Sequence, residues 1–219
     1  MRQLRLRRAL AGSVWATHPP SAHRLSAEAH AFVRDLDDPS RPPNSPSDGG
    51  LAYGGEFTLR KRLTRHLYGW VAHTLMWAQR ELVQVGDGTR YAVSSYDQRH
   101  NLVAVPSARP SRNWQLGGRF RLTSGLPYTP IVGTIGSAGE ASPIYGLPLS
   151  DTFPIFHQLD VRVDKRWILK RTIINAYVDI QNIYNHQNTE AYFYSSDYRR
   201  RVGGLSLPIL PLVGIRVEI

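Results

Sequence analysis

Residues 156–185 read FHQLDVRVDKRWILKRTIINAYVDIQNIYN. Here Leu159, Val161, Val163 and Trp167 alternate with Gln158, Asp160, Arg162, Asp164 and Arg166. After a few basic residues, Ile174, Ala176, Val178 and Ile180 alternate with Asn175, Tyr177, Asp179 and Gln181. Successive side chains leave a pleated backbone on opposite sides, so this period of two predicts strands with one apolar and one polar face. Two such runs joined by ILKR predict an antiparallel hairpin. Charges of both signs on its polar face can pair across the strands.

The pattern continues outward in both directions. Leu25, Ala27, Ala29, Ala31 and Val33 alternate with Ser26, Glu28, His30, Phe32 and Arg34. EFTLRKRL at 56–63 sets Phe57, Leu59 and Leu63 against Glu56, Thr58, Arg60 and Arg62. WQLGGRFRLTSG at 114–125 sets Trp114, Leu116, Phe120 and Leu122 against Gln115, Arg119, Arg121 and Thr123. The closing LVGIRVEI opposes Val213, Ile215, Val217 and Ile219 to Arg216 and Glu218. LYGWVAHTLMWAQ, from Leu67, and HNLVAV, from His100, are apolar on both sides, which leaves their faces open. Pro106 and Pro211 remove ladder donors and are expected to interrupt their strands. The chain is therefore expected to be all-β, an antiparallel meander of about eight long strands with no amphipathic helix.

The connections narrow the class. Short links near 64–66, 109–113 and 168–171 alternate with long ones at 35–50, 81–97, 128–155 and about 185–207. Outer-membrane barrels keep this rule, with short periplasmic turns and long extracellular loops. Runs of roughly 8–14 residues suit a tilted strand crossing the hydrocarbon layer, which takes about 9–11. Trp114 and Trp167 stand beside short turns, where an aromatic ring can lodge at headgroup level. No run approaches the roughly 18 apolar residues of a spanning helix. The competing readings are a soluble antiparallel barrel whose core is the apolar face and a complete small outer-membrane barrel. Eight strands enclose room only for packed side chains, and the polar face carries bulky Arg, Tyr and Gln. A curved open sheet or a poorly closed barrel is the expectation.

Charge and composition exclude little but exclude it firmly. The 219 residues carry 27 Lys+Arg against 17 Asp+Glu, a formal charge of +10, and no cysteine. Disulfides and thiolate metal sites are impossible. The basic excess invites a polyanion, and YRRRVGG at 198–204 or LRKRLTRH at 59–66 could face nucleic acid. Regular loop alternation does not suit an oligonucleotide-binding barrel, so no nucleic-acid partner is expected. Lipopolysaccharide phosphates are the expected counterpart of YRRR. The eight histidines are scattered along the sequence and none sits at zinc-ligand spacing. Asp160 and Asp164 share their face with Arg162 and Arg166, which reads as a neutralised ladder rather than an acid–base pair. GTIGSAG at 133–139 has no lysine and no following helix, so it reads as a flexible loop. Neither a cofactor nor an enzymatic activity is expected.

Residues 1–22 read as a disordered leader or a start unrelated to the rest of the chain, with a short and weakly apolar stretch at 9–16. The Pro/Ser/Asp/Gly cluster at 37–50 reads as a linker or a surface loop.

Residues 23–219, and above all 51–219, resemble the last strands of a TonB-dependent receptor. The pieces that carry the resemblance are YDQRHNL at 96–102, GRFRLTSGLPYTP at 118–130, and the pair LDVRVDKRW and AYVDIQNIYN, in that order. The family is an outer-membrane β-barrel of 22 strands around an amino-terminal plug, importing scarce ligands such as iron chelates, cobalamin or carbohydrates. The resemblance implies that Asp160, Arg162, Asp164, Arg166, Asn175, Tyr177, Asp179, Gln181, Arg119 and Arg121 face the lumen. It also implies that Tyr145, Tyr192 and Tyr194 lie on extracellular ligand-contacting loops. The implied partners are outer-membrane lipid, lipopolysaccharide and the barrel-assembly machinery, with TonB reached only through a plug. The protein would be a monomer as part of a full receptor. No plug is recognisable ahead of residue 23, so the chain by itself is expected not to be transport-competent. A gene fragment, a mis-assigned start and a frameshifted remnant are the three origins considered.

Overall fold

A computed structural model of the chain describes residues 5–16, 25–37, 49–82, 90–136 and 140–219. In chain order the strands begin with β1 (Arg5–Ala16), β2 (Leu25–Asp37), β3 (Gly50–Lys61), β4 (Leu67–Leu82) and the short β5 (Arg90–Val93). Next come β6 (His100–Ser111) and β7 (Trp114–Thr123), then four short strands: β8 (Pro127–Tyr128), β9 (Ile131–Ile135), β10 (Ser142–Tyr145) and β11 (Asp151–Thr152). The chain continues through β12 (Phe156–Ile168) and β13 (Ile173–Gln181), the short β14 (Thr189–Tyr194) and β15 (Arg201–Leu205), and ends in β16 (Leu210–Glu218). The described residues contain no helix.

One sheet dominates, in the order β1-β2-β3-β4-β6-β7-β12-β13-β16, and β5 pairs with the end of β4. Every neighbouring pair is antiparallel. The sheet is open, with β1 and β16 at its edges. An antiparallel meander sends alternate connections to opposite ends. The turns 62–66, 112–113 and 169–172 therefore share one end, and the long links 83–99, 124–155 and 182–209 share the other. These links carry structure of their own, the pairs β9–β10, β8–β11 and β14–β15.

All eight strands expected from the sequence form, and four details differ. Arg5–Ala16 is a strand along β2, where the sequence suggests a disordered leader. The free edge of β2 offers a row of unpaired backbone groups, and a proline-free segment beside it can complete the ladder. The rest of that leader, 1–4 and 17–22, lies outside the described residues, as do positions 38–48 of the Pro/Ser/Asp/Gly cluster. Neither proline interrupts its strand: β6 runs on through Pro106 and β16 through Pro211. Pro106 lies opposite Gly69 of β4, where the backbones approach closely, and its ring lies over Gly118 of β7, where a Cβ would meet Pro106 Cγ at 3.4 Å. A Cβ at Gly69 would come within 2.5 Å of the Val105 carbonyl oxygen and 2.9 Å of Pro106 Cα. Pro211 sits on the edge strand, where a missing donor costs least. Finally, the first half of GTIGSAG belongs to β9, paired with β10; positions 137–139 are not described.

The register assigns the faces that the sequence leaves open. Val71 pairs with Ala104 and His73 with Leu102, which puts Leu67, Val71, Leu102 and Ala104 on the apolar face with Leu59, Phe120 and Leu159. Trp70, Ala72, Val103 and Val105 fall on the face of Arg119 and Asp160. No layer formed by the described residues covers the apolar face. Among the residues whose side-chain burial is described, Ala78 is the sole buried hydrophobic one, whereas Val213 is 78% and Ile215 74% exposed. A water-soluble domain of this size buries a core. Here the apolar residues lie on a single sheet, in regular alternation on one side and, as with Trp70 and Val103, in places on the other.

Candidate functional site

The polar face is built from β7, β12, β13 and β16. The register sets Asp160 opposite Arg119, Arg162 opposite Asp179, Asp164 opposite Tyr177 and Arg166 opposite Asn175. Asp160 is its anchor, buried and four times bonded. Arg119 donates to Oδ2 from Nε at 2.9 Å and Nη2 at 2.7 Å, and Gln158 donates to Oδ1 at 2.6 Å. The backbone N–H of Asn182 donates to the same Oδ1 at 3.0 Å. Arg162 forks onto Asp164 with two bonds of 2.9 Å and reaches Asp179 at 3.9 Å. Its guanidinium also lies 3.8 Å from the centre of the Tyr177 ring. Tyr177 in turn covers Gly214 of the edge strand, where any Cβ would strike the ring. Such a ladder keeps a polar surface neutral and ordered, since each carboxylate has a guanidinium within reach. Arg121 lies over Phe156 at 5.5 Å. Gln181, at the end of β13, pairs with Leu210 and takes no part in the charge pairing.

Asparagines fasten the long-link end, a role not assigned to them from the sequence. Asn182 and Asn188 are the most fully buried side chains among the described residues. Asn182 donates to the carbonyls of His186 and Leu207 and accepts from the His186 N–H. Asn188 bonds both backbone groups of His157, at 2.9 and 3.0 Å. Asn182 and Asn185 each take φ 52°, a left-handed conformation that asparagine tolerates. QNIYNHQN is thus turn chemistry, and its amide side chains were the available signal. Asp97, likewise buried, holds the start of β6 against β4 by accepting from Ala78 N at 2.8 Å and Arg99 Nε at 2.9 Å.

A second cluster joins two long links. Tyr128, Phe153 and Tyr192 meet with ring centroids 4.7 to 5.2 Å apart, and Arg201 stands 4.2 Å over Tyr192. Tyr128 donates its hydroxyl hydrogen to Asp151 Oδ2 at 2.5 Å and accepts from Arg201 Nη1 at 2.9 Å. Desolvation, then the bond to Asp151, pushes the Tyr128 pKa up to about 12. The same bond holds the Asp151 carboxyl below the usual carboxylate range. Of the three tyrosines singled out from the sequence, Tyr192 belongs here and Tyr194 touches it through its hydrogen bond with Arg201. Tyr194 packs beside Tyr198 at 6.4 Å, and Tyr145 stands exposed on β10.

The histidines are less dispersed in space than in sequence. His73 and His100 stack at 5.5 Å, and His157 stacks on His186 at 3.8 Å. Among the described residues, no three His, Asp or Glu side chains come together as a metal site would require. No family model matches the chain, and no curated protein or solved structure matches it significantly.

Proposed function

We propose that the chain is a stretch of wall from an outer-membrane β-barrel of the TonB-dependent receptor type, seated in lipid by its apolar face. The observation that carries this reading is the uncovered apolar face and what borders it. At the short-turn end Lys165 lies 4.4 Å over Trp114 and 5.9 Å from Trp167. At the long-link end Tyr53 stacks on Trp77 at 5.6 Å, and His157 meets Tyr184 at 5.6 Å. Between these borders the face is Leu, Val, Ala, Phe and Ile with Gly and Pro106, interrupted on β4 by His73. Rings with a polar atom suit a headgroup layer, and a lysine beside them can extend its amine to water. On β12 the borders Trp167 and His157 are ten residues apart. At about 3.3 Å per residue and a tilt of about 45°, that spans roughly 23 Å of depth, near the ~25 Å band of outer-membrane barrels.

On this reading the Asp160 ladder lines the wet interior, and the long links reach the cell exterior, where Tyr145, Tyr192 and Tyr194 contact ligand. The partners are outer-membrane lipid, lipopolysaccharide and the assembly machinery; import requires a plug and TonB. The meander of alternating short and long links and the resemblance of GRFRLTSGLPYTP and AYVDIQNIYN support the family assignment. Spin labels at Leu159, Val161 and Ile174 of the refolded protein in bilayers test it. Those sites should collide with oxygen dissolved in the membrane and escape a water-soluble nickel chelate. A monodisperse protein in plain buffer, with the same labels shielded from both reagents, would point instead to a soluble module.

A further inference from the structure

We propose that the polar face binds a phosphate group at its short-turn end, in a pocket formed by Arg109, Arg112 and Arg166. The pocket measures about 170 Å³ and is completed by Gln115, Asp164 and Asn175. That is below the roughly 300–1,000 Å³ of sites for drug-sized molecules and suits a small hydrated anion. None of the three arginines is paired with a carboxylate among the described residues. Asp164, the one acid in the wall of the pocket, is already occupied by both bonds from Arg162. The backbone at two of the arginines is fixed, for Arg109 N–H donates to the His66 carbonyl at 2.6 Å and Arg166 N–H to that of Asn113 at 2.8 Å.

The surroundings favour an anion. The short-turn stretches 60–66, 109–113 and 165–171 together hold ten Lys or Arg and no Asp or Glu. An end of one sign raises the local concentration of anions, and a concave site sharpens the effect. Guanidinium forks match the oxygens of phosphate two at a time, and a tetrahedral dianion can satisfy three of them where a planar carboxylate cannot. The site lies on the polar face, so it stands whatever covers the opposite one. A dissolved ion and a lipid headgroup present the same phosphate chemistry to it.

Phosphorus NMR titration of the refolded full chain tests this, with inorganic phosphate in one arm and monomeric dihexanoyl phosphatidylglycerol in the other. One saturable site is expected. Arg112→Gln and Arg166→Gln should each weaken it about tenfold, the usual scale of a lost charge-assisted bond. Arg166→Lys, which keeps the charge but loses the fork, should weaken it nearly as much, and Arg199→Gln in the link between β14 and β15 should leave it unchanged. Saturation by phosphate alone assigns a dissolved ion, and tighter binding of the phosphatidylglycerol assigns a headgroup; both support the site. Binding that never saturates, that is equal in all variants, or that acetate displaces at equal concentration overturns it.

Discussion

Asp160 concentrates more bonding than any other ionisable side chain described in the sheet. It is 5% exposed and accepts from Arg119, Gln158 and the backbone of Asn182. Removing it strands three donors at once, one of them a guanidinium. Asp160→Ala should therefore lower stability by about 3 kcal/mol, read as a shift in the urea midpoint of the refolded protein. Arg119→Ala should cost less, because the Arg119 side chain is 48% exposed and water can replace part of what it gives. Tyr128 gives a pH signature at the same scale. Its folded pKa of about 12 exceeds the ordinary value of 10, so its contribution is whole below pH 10 and fades as pH rises toward 12. The depressed Asp151 works at the opposite limit: its contribution is present above the ordinary carboxylate pKa and lost as pH falls through the lowered one. Phenolate absorbance should show a tyrosine ionising near pH 12, and Tyr128→Phe should remove that step. The sequence marks Asp160 plainly, flanked by Arg162 and set in alternation. It does not mark Tyr128, Phe153 and Arg201, because their meeting depends on how two long links fold over one another.

Among the elements, β4 and β6 were the least legible and became the most instructive. Both read as apolar on two sides, and only pairing to β3 and β7 fixes which side is which. The period of two identifies a strand; it assigns a face only where the two sides differ in polarity. The prolines mislead for a related reason. A proline weakens a ladder, but Gly118 gives the Pro106 ring a place, Gly69 lets the backbones approach, and the strand continues. Gly69→Val should then be severe, about 3 kcal/mol, since the new Cβ meets backbone that cannot yield and φ is +155°. Gly117→Ala on β7 is the control. Its nearest prospective contact is 3.9 Å away, so thermal melting should barely move. The hairpin of β12 and β13, by contrast, was readable from its sequence, because apolar and polar residues alternate along most of both strands, with Lys165 as the exception on the apolar side.

Across the whole molecule, the arrangement of connections was visible in the sequence before any pairing was known, and the sheet keeps it. The wall stays open, as the room enclosed by eight strands leads one to expect, but the sequence did not convey that β1 joins it. A sheet with a bare apolar side and two unpaired margins is incomplete in two directions, toward an apolar medium and toward further strands. The nine strands of the main path carry a constraint on the second of these. Because their count is odd, the first and last run the same way. Joining those two margins directly would make a parallel seam in an otherwise antiparallel ring. A ring antiparallel throughout needs an odd number of additional strands between them, or needs β1 to give up its place so that β2 meets β16.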